Sequence, residues 1–345
     1  MTTQDIATLP RPETSRGRFS VSRFMSRYGI VIVFAALFIV LSVLSPAFAT
    51  PRNLFNILAQ TAPVGIIACG AALVIISGGF DLSVGAIFAA GGVVSALAAA
   101  SLDPVLAILA GTLVGSLLGL VNGLIISGFG INSFIATLAT GFIFRGIATI
   151  VTGGFLISAA NSQFRWFGNG RVFTVPIPVY LFAFVALITG LLLAKSRFGR
   201  YLYASGGNAE AARLSGIRVE LVRLAAFGIS GTAAGFAGVI SAARVSTGQA
   251  DAGTGVELTV IAAVVVGGIS IMGGEGAIWR AVLGVLLIAM IGNGFNLLNI
   301  DPFYQSIAQG VIIVIAVAVD SRTGGYFRRA WQAFRLRRAA RSASA

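Results

Sequence analysis

Residues 105–127 read Val-Leu-Ala-Ile-Leu-Ala-Gly-Thr-Leu-Val-Gly-Ser-Leu-Leu-Gly-Leu-Val-Asn-Gly-Leu-Ile-Ile-Ser, an unbroken run with no charged side chain. As a helix rising about 1.5 Å per residue it would extend about 34 Å, enough to cross a hydrocarbon layer about 30 Å thick. Runs of this kind recur along almost the whole chain. They fall near 28–49, 54–77, 84–101, 105–127, 132–152, 176–194, 221–242, 257–274, 278–297 and 303–319. The predicted fold class is therefore all-α, a polytopic membrane helix bundle of about ten transmembrane helices. The third and eighth spans are the least clearly bounded.

Composition agrees with that reading. Of the 345 residues 57% are hydrophobic and 10% charged, where soluble domains carry about 25% charged residues. Mean hydropathy is +0.94. No long polar linker divides the chain, so one membrane domain, 28–320, is expected between a cytoplasmic tail, 1–27, and a basic cytoplasmic tail, 321–345. Histidine is absent and Cys69 is the sole cysteine, which excludes disulfide frameworks, Cys/His metal sites and His-based triads.

A net charge of +13 would suggest nucleic acid in a soluble protein. Position decides otherwise. With the N-terminus inside, 19 of the 24 Lys and Arg fall in the N-terminal tail, the 195–220 loop with Arg223, Arg280, and the C-terminal tail. Short basic loops lie on the cytoplasmic side, so the topology is N-in, C-in and no nucleic-acid partner is required. The rival reading of the first run is a cleaved signal peptide ending at Ala47-Phe48-Ala49. The run is longer than a signal core, which favours an uncleaved span.

Gly111, Gly115, Gly119 and Gly123 repeat every four residues on one helix face, and Gly228, Gly231, Gly235 and Gly238 do so approximately. In lipid such small residues permit close helix crossings, either as fixed packing or as a moving transport interface. Asn122-Gly123 is echoed by Asn293-Gly294, a faint sign of repeated halves.

The segment Gly78-Gly79-Phe80-Asp81-Leu82-Ser83-Val84-Gly85 sets an acid between two apolar spans. Intramembrane acids face protein or water-filled cavities. Asp81 has two readings: it caps the next helix with help from Ser83, or it meets a solute. Asn122, Asn132, Thr137, Asn293 and Asn296 raise the same choice between interhelical glue and contact with a polyhydroxylated solute. In the cytoplasmic loop, Asn208 is an N-cap candidate, Glu210 sits in the first turn, Ala211 and Ala212 favour helix, Arg213 suits the last turn and Gly216 can close it. A short external helix from about Ala209 to Ser215 is expected. Such a helix suits docking into a groove of another protein, or is an ordinary connector.

These segments, with Asn132-Ser133-Phe134-Ile135-Ala136-Thr137-Leu138, Ala262-Ala263-Val264-Val265-Val266-Gly267-Gly268 and Gly273-Gly274-Glu275-Gly276, resemble the ribose-type sugar permeases of bacterial ATP-binding-cassette importers. The resemblance extends from about residue 30 to 320. It implies a permease subunit for a monosaccharide in the bacterial cytoplasmic membrane, working with a cytoplasmic ATPase, a periplasmic sugar-binding protein and a second permease copy or homologue. It implies that Gly207, Asn208, Glu210, Ala211, Ala212, Arg213 and Gly216 couple to the ATPase, although the Leu-Pro that often follows this motif is lacking. Asp81, Ser83, Asn122, Asn132, Phe134, Thr137, Asn293 and Asn296 are the pathway candidates.

The nearest phosphate-loop match, Gly190-Leu191-Leu192-Leu193-Ala194-Lys195-Ser196, lacks the second glycine. No ATP site, cofactor or metal is therefore expected in this chain, and ATP belongs to the partner. Alternatives are a permease for branched-chain amino acids or nucleosides, a self-sufficient ion-coupled carrier, and a membrane-embedded enzyme. The carrier would need intramembrane acids for coupling and the enzyme a nucleophile with its base.

Overall fold

The structure is a computed structural model describing residues 21–301 and, beyond them, positions 303–305, 307, 308, 310, 311 and 314, with side chains from residue 29 onward. Among the described residues twelve helices with defined bounds occur in chain order: α1 (Val21–Leu44), α2 (Pro51–Ile76), α3 (Val84–Ala99), α4 (Pro104–Phe129), α5 (Ser133–Thr152), α6 (Ser162–Asn169), α7 (Ile177–Lys195), α8 (Arg197–Gly207), α9 (Ala209–Leu214), α10 (Val219–Val245), α11 (Val256–Val266) and α12 (Ile278–Leu297). Short antiparallel pairs join β1 (Ile157–Ser158) to β4 (Thr247–Gly248) and β2 (Arg171–Val172) to β3 (Val175–Pro176).

Among the described residues six helices, α2, α4, α5, α7, α10 and α12, are long and apolar enough to cross a membrane, and Gly29–Leu44, α3 and α11 are shorter apolar helices. Nine of the ten predicted spans thus contain an apolar helix. The tenth, 303–319, lies largely outside the described residues, as do the two tails except for the start of α1. That helix begins seven residues before the predicted boundary at 28.

Helix starts follow local chemistry. Asp103 accepts the Val105 N–H at 2.8 Å and Thr50 accepts the Asn53 N–H at 3.4 Å. Each is followed by a proline at the first helical position, where a missing N–H costs nothing.

The central helix is α2, buried along most of its length and surrounded by α7, α10, α11 and α12. The two glycine rows meet. A Cβ added to Gly115 would stand 2.5 Å from the Gly231 carbonyl oxygen and from the Gly235 Cα, so α4 and α10 touch backbone to backbone. Ser116 and Thr232 share a 2.8 Å hydrogen bond across the same seam. Phe48, within the Ala47-Phe48-Ala49 stretch, is fully buried with Leu41, Ile57 and Met290 and stacks edge-on to Phe38. The first span is an integral part of the bundle.

The eighth span is corrected. The expected helix 257–274 ends at Val266, because Gly268, Gly273 and Gly274 all take positive φ and turn the chain away. Eleven residues cover only about 16 Å, half the hydrocarbon layer. Non-helical chain precedes α11. Gly248 lies against Gly92 and Val93 of α3, and Gly253 against Phe88, so residues 248–253 run alongside that helix. Arg145 of α5 supports this stretch, donating to the Ala250 carbonyl at 3.0 Å and to Thr254 Oγ1 at 3.0 Å. Irregular backbone at membrane depth is tolerated where protein groups satisfy it in this way.

Candidate transport machinery

The pathway candidates divide between the two ends of the bundle. At one end Asp81, Ser83, Asn122 and Thr137 converge on the turn between α2 and α3. Asp81 is 4% exposed and its carboxylate accepts three hydrogen bonds from protein donors. Oδ1 accepts the Ser83 N–H at 3.0 Å and the Ser83 hydroxyl at 2.6 Å, and Oδ2 accepts the Ser230 hydroxyl of α10 at 3.1 Å. Asn122 Nδ2 donates to Ser83 Oγ at 2.7 Å. The capping expected of Asp81 is not found: Ser83 occupies the N-cap of α3 without a side-chain cap bond, and its hydroxyl serves Asp81 rather than the helix. Thr137 Oγ1 accepts the Leu82 N–H at 3.0 Å, and Ser133 Oγ accepts the Phe80 N–H at 3.0 Å, tying α5 to the turn. Asn132 is spent on capping α5 through the Phe134 N–H at 2.9 Å, and Phe134 points outward, half exposed.

At the other end Asn293 is paired head to head with Asn53 of α2, each Nδ2 donating to the other's Oδ1 at 2.9 and 3.0 Å. Asn293 and Asn296 line a cavity there together with Asn53, Asn56, Gln60 and Gln305. Sequence reasoning missed the last four. The signal was available, since Asn53, Asn56 and Gln60 recur on one helical face of an otherwise apolar span. Asn122 and Asn293, the two members of the faint repeat, therefore serve opposite ends of the molecule.

The external loop forms two helices. The sequence reading found α9 but not α8, whose Gly199, Leu202 and Ser205 are buried on one face. Asn208 caps α9 through the Ala211 N–H at 3.0 Å, and Gly216 closes it at φ 83°. Arg213 does more than end the helix. It reaches Glu220 of α10 at 2.7 Å, with Glu210 a weaker partner at 3.5 Å.

One expectation about α9 changes. Ala211 is exposed, but Ala212 is 4% exposed and packed inside this chain. The outward apolar residue is Leu214, 84% exposed.

The loop is locked to the Asp81 end. Gly206 rests on the Ile76 carbonyl, which also accepts the Gly274 N–H at 2.8 Å, and a Cβ at Gly273 would stand 2.9 Å from the Gly78 Cα. No side chain separates α8, the end of α2 and the 273–274 turn. The phosphate-loop look-alike is no loop: Gly190–Lys195 is continuous α7 helix, and Ser196 caps α8.

The fold is that of a polytopic helical membrane protein with a capped helix outside its long apolar helices, keyed to the end of the central one. The chain belongs to the family described as branched-chain amino acid transport system / permease component, which matches residues 53–317. It is 38% identical over 327 residues to the ribose import permease protein RbsC of Escherichia coli K12, covering 93% of this chain and 99% of that one. It is 40% identical over 306 residues to the L-arabinose transport system permease protein AraH of the same strain, covering 88% and 93%. To the D-allose transport system permease protein AlsC it is 39% identical over 305 residues, covering 88% and 94%. No solved structure matches the chain.

Proposed function

We propose that this chain is the membrane-spanning permease subunit of an ATP-driven importer in the bacterial cytoplasmic membrane, taking up a monosaccharide of the ribose, arabinose or allose kind. The ATP is bound and hydrolysed by a separate cytoplasmic subunit, a periplasmic binding protein delivers the sugar, and a second permease copy or homologue completes the pathway. Both termini and the 195–220 loop face the cytoplasm, following the distribution of basic residues.

The observation that carries this reading is α9 and its attachment. A short helix presents Ala211 and Leu214 outward, while Gly206, one turn away, is seated on the Ile76 carbonyl at the end of α2. A partner that moves α9 would move the end of the central span and the Asp81 turn with it, because backbone contacts leave no slack. The relatives' sugar names favour a monosaccharide over the branched-chain amino acids of the family's description.

Two arms test the proposal. Cells expressing the permease with a cognate ATPase and sugar-binding protein should accumulate one of the three sugars, and omission of the ATPase should abolish accumulation. ATPase-independent uptake by this chain in vesicles would establish an ion-coupled or passive carrier instead.

A further inference from the structure

At the end of the bundle opposite α9, helices α2, α11 and α12 and Gln305 line a half-open cavity of about 470 Å³, with Asn56, Gln60 and Asn296 exposed at its wall. It runs from Asn53 to Val64 along α2 and from Asn296 to Val285 along α12. Either path corresponds to about 16 Å, half the depth of the hydrocarbon layer.

The chemistry of the wall is selective. Six carboxamides, Asn53, Asn56, Gln60, Asn293, Asn296 and Gln305, border the space together with the hydroxyl-bearing Thr61 and Thr259, and no ionisable side chain is among the described lining residues. The two arginines of this region, Arg52 and Arg171, border the adjoining opening instead. Internal bonds fix part of the wall: the reciprocal Asn53–Asn293 pair, and Gln60 Nε2 donating to Asn56 Oδ1 at 2.9 Å. Gly292 leaves room for the Gln305 amide, which would stand 2.5 Å from a Cβ at that position.

A carboxamide has two N–H donors and two acceptor lone pairs, so Gln60 and Asn56 retain capacity of both kinds after bonding each other. A sugar hydroxyl likewise donates and accepts. A carboxylate, ammonium or phosphate seated among these groups would give up part of its hydration to a wall that carries no charged side chain, which is unfavourable. We infer that this cavity is a solute-binding site of the permease itself, taking a neutral polyhydroxylated molecule through the amides of α2 and α12 and rejecting solutes with fixed charge. The inference deepens the proposed function and rests on it for the direction of passage.

Cys69 is the only cysteine, and it is buried. Cys69→Ala therefore gives a cysteine-free background into which Gln60→Cys or Asn296→Cys is introduced as a reporter. The full-length permease in nanodiscs is labelled with a small methanethiosulfonate reagent in the presence of D-ribose, L-arabinose or D-allose. L-leucine and D-ribose 5-phosphate serve as charged controls, the second adding only a phosphate to the same polyol.

At least one sugar should slow labelling of a reporter about tenfold when present at roughly ten times its dissociation constant. The two charged compounds should not. Adding Asn56→Leu should remove the protection without lowering the level of inserted protein. Absence of protection by all three sugars at both reporters overturns the site, as does equal protection by L-leucine or ribose 5-phosphate. The labelling needs no ATPase, so its failure is distinct from failure of ATP-dependent uptake by wild-type cells, which would overturn the transport reading.

Discussion

The two ends of the bundle use their polar and small residues in opposite ways. At the α9 end Gly206 lies on the Ile76 carbonyl, Gly273 on Gly78, and Asp81 has three protein donors to its carboxylate. At the far end carboxamides border open space of about 470 Å³. The first arrangement leaves no free volume and can pass displacement from one element to the next. The second keeps hydrogen-bonding capacity that a passing solute can use. In this account force enters at one end and solute at the other, and α2 joins them.

The largest effect should come from filling the tight end. In Gly206→Ala the new Cβ falls onto the Ile76 carbonyl oxygen and 2.6 Å from the Gly274 nitrogen, neither of which can swing aside. Overpacking costs about 1–3 kcal/mol, and about 1.4 kcal/mol is already tenfold in rate. Import should drop about tenfold or more while the spans still insert, as read by membrane immunoblot and uptake in parallel. Wild-type uptake would mean that the junction does not transmit motion.

Asp81 should show a smaller effect on import than Gly206 but a loss of stability, graded by substitution. Asp81→Ala leaves the Ser83 N–H and the Ser230 hydroxyl without their buried acceptor, at about 1–3 kcal/mol for each group left unsatisfied. A lower Tm in detergent and weaker import are expected. Asp81→Asn keeps an oxygen for Ser83, and Ser230 can turn to accept from the new amide. It should retain most stability and transport. An inactive but fully stable Asp81→Asn would instead assign the negative charge a direct role in passage.

At the open end the effect should be smaller and kinetic. Asn296→Ala removes a cavity-lining amide without creating a clash, so the change in stability should stay within about 0.5 kcal/mol. Loss of one neutral hydrogen bond, net about 0.5–1.5 kcal/mol, should weaken sugar protection in the Gln60→Cys reporter by roughly two- to tenfold. A large fall in Tm would make Asn296 interhelical glue, and unchanged protection would remove it from the site.

Much of the fold was legible because lipid imposes one strong rule, that spanning segments are long, apolar and helical. That α4 and α10 each make a close crossing was legible from their glycine rows, but that the two rows meet each other appears only in the fold. The eighth span was misread because Gly267 to Gly274 are as apolar as a helix. Hydropathy does not register that Gly268, Gly273 and Gly274 adopt positive φ.

The site was half legible. Asn293 and Asn296 stood out, but Asn53, Asn56 and Gln60 sit near a span boundary where polar residues attract no notice. Their common face appears only when α2 is wound as a helix against α12. Ala212 was misassigned because a small residue fits either an external groove or an internal contact, and only the fold of α8 and α9 over α10 separates the two.

The central claim is that ATP-driven motion enters through the outward face of α9, and Leu214→Asp tests it most directly. Leu214 is 84% exposed, so a charge there should alter the fold by no more than about 0.5 kcal/mol. The variant should reach wild-type levels in the membrane with an unchanged Tm, while import falls about tenfold, equivalent to about 1.4 kcal/mol, and ATPase recovered by pull-down falls in parallel. Wild-type import with the ATPase still bound would contradict the account and leave α9 as a connector.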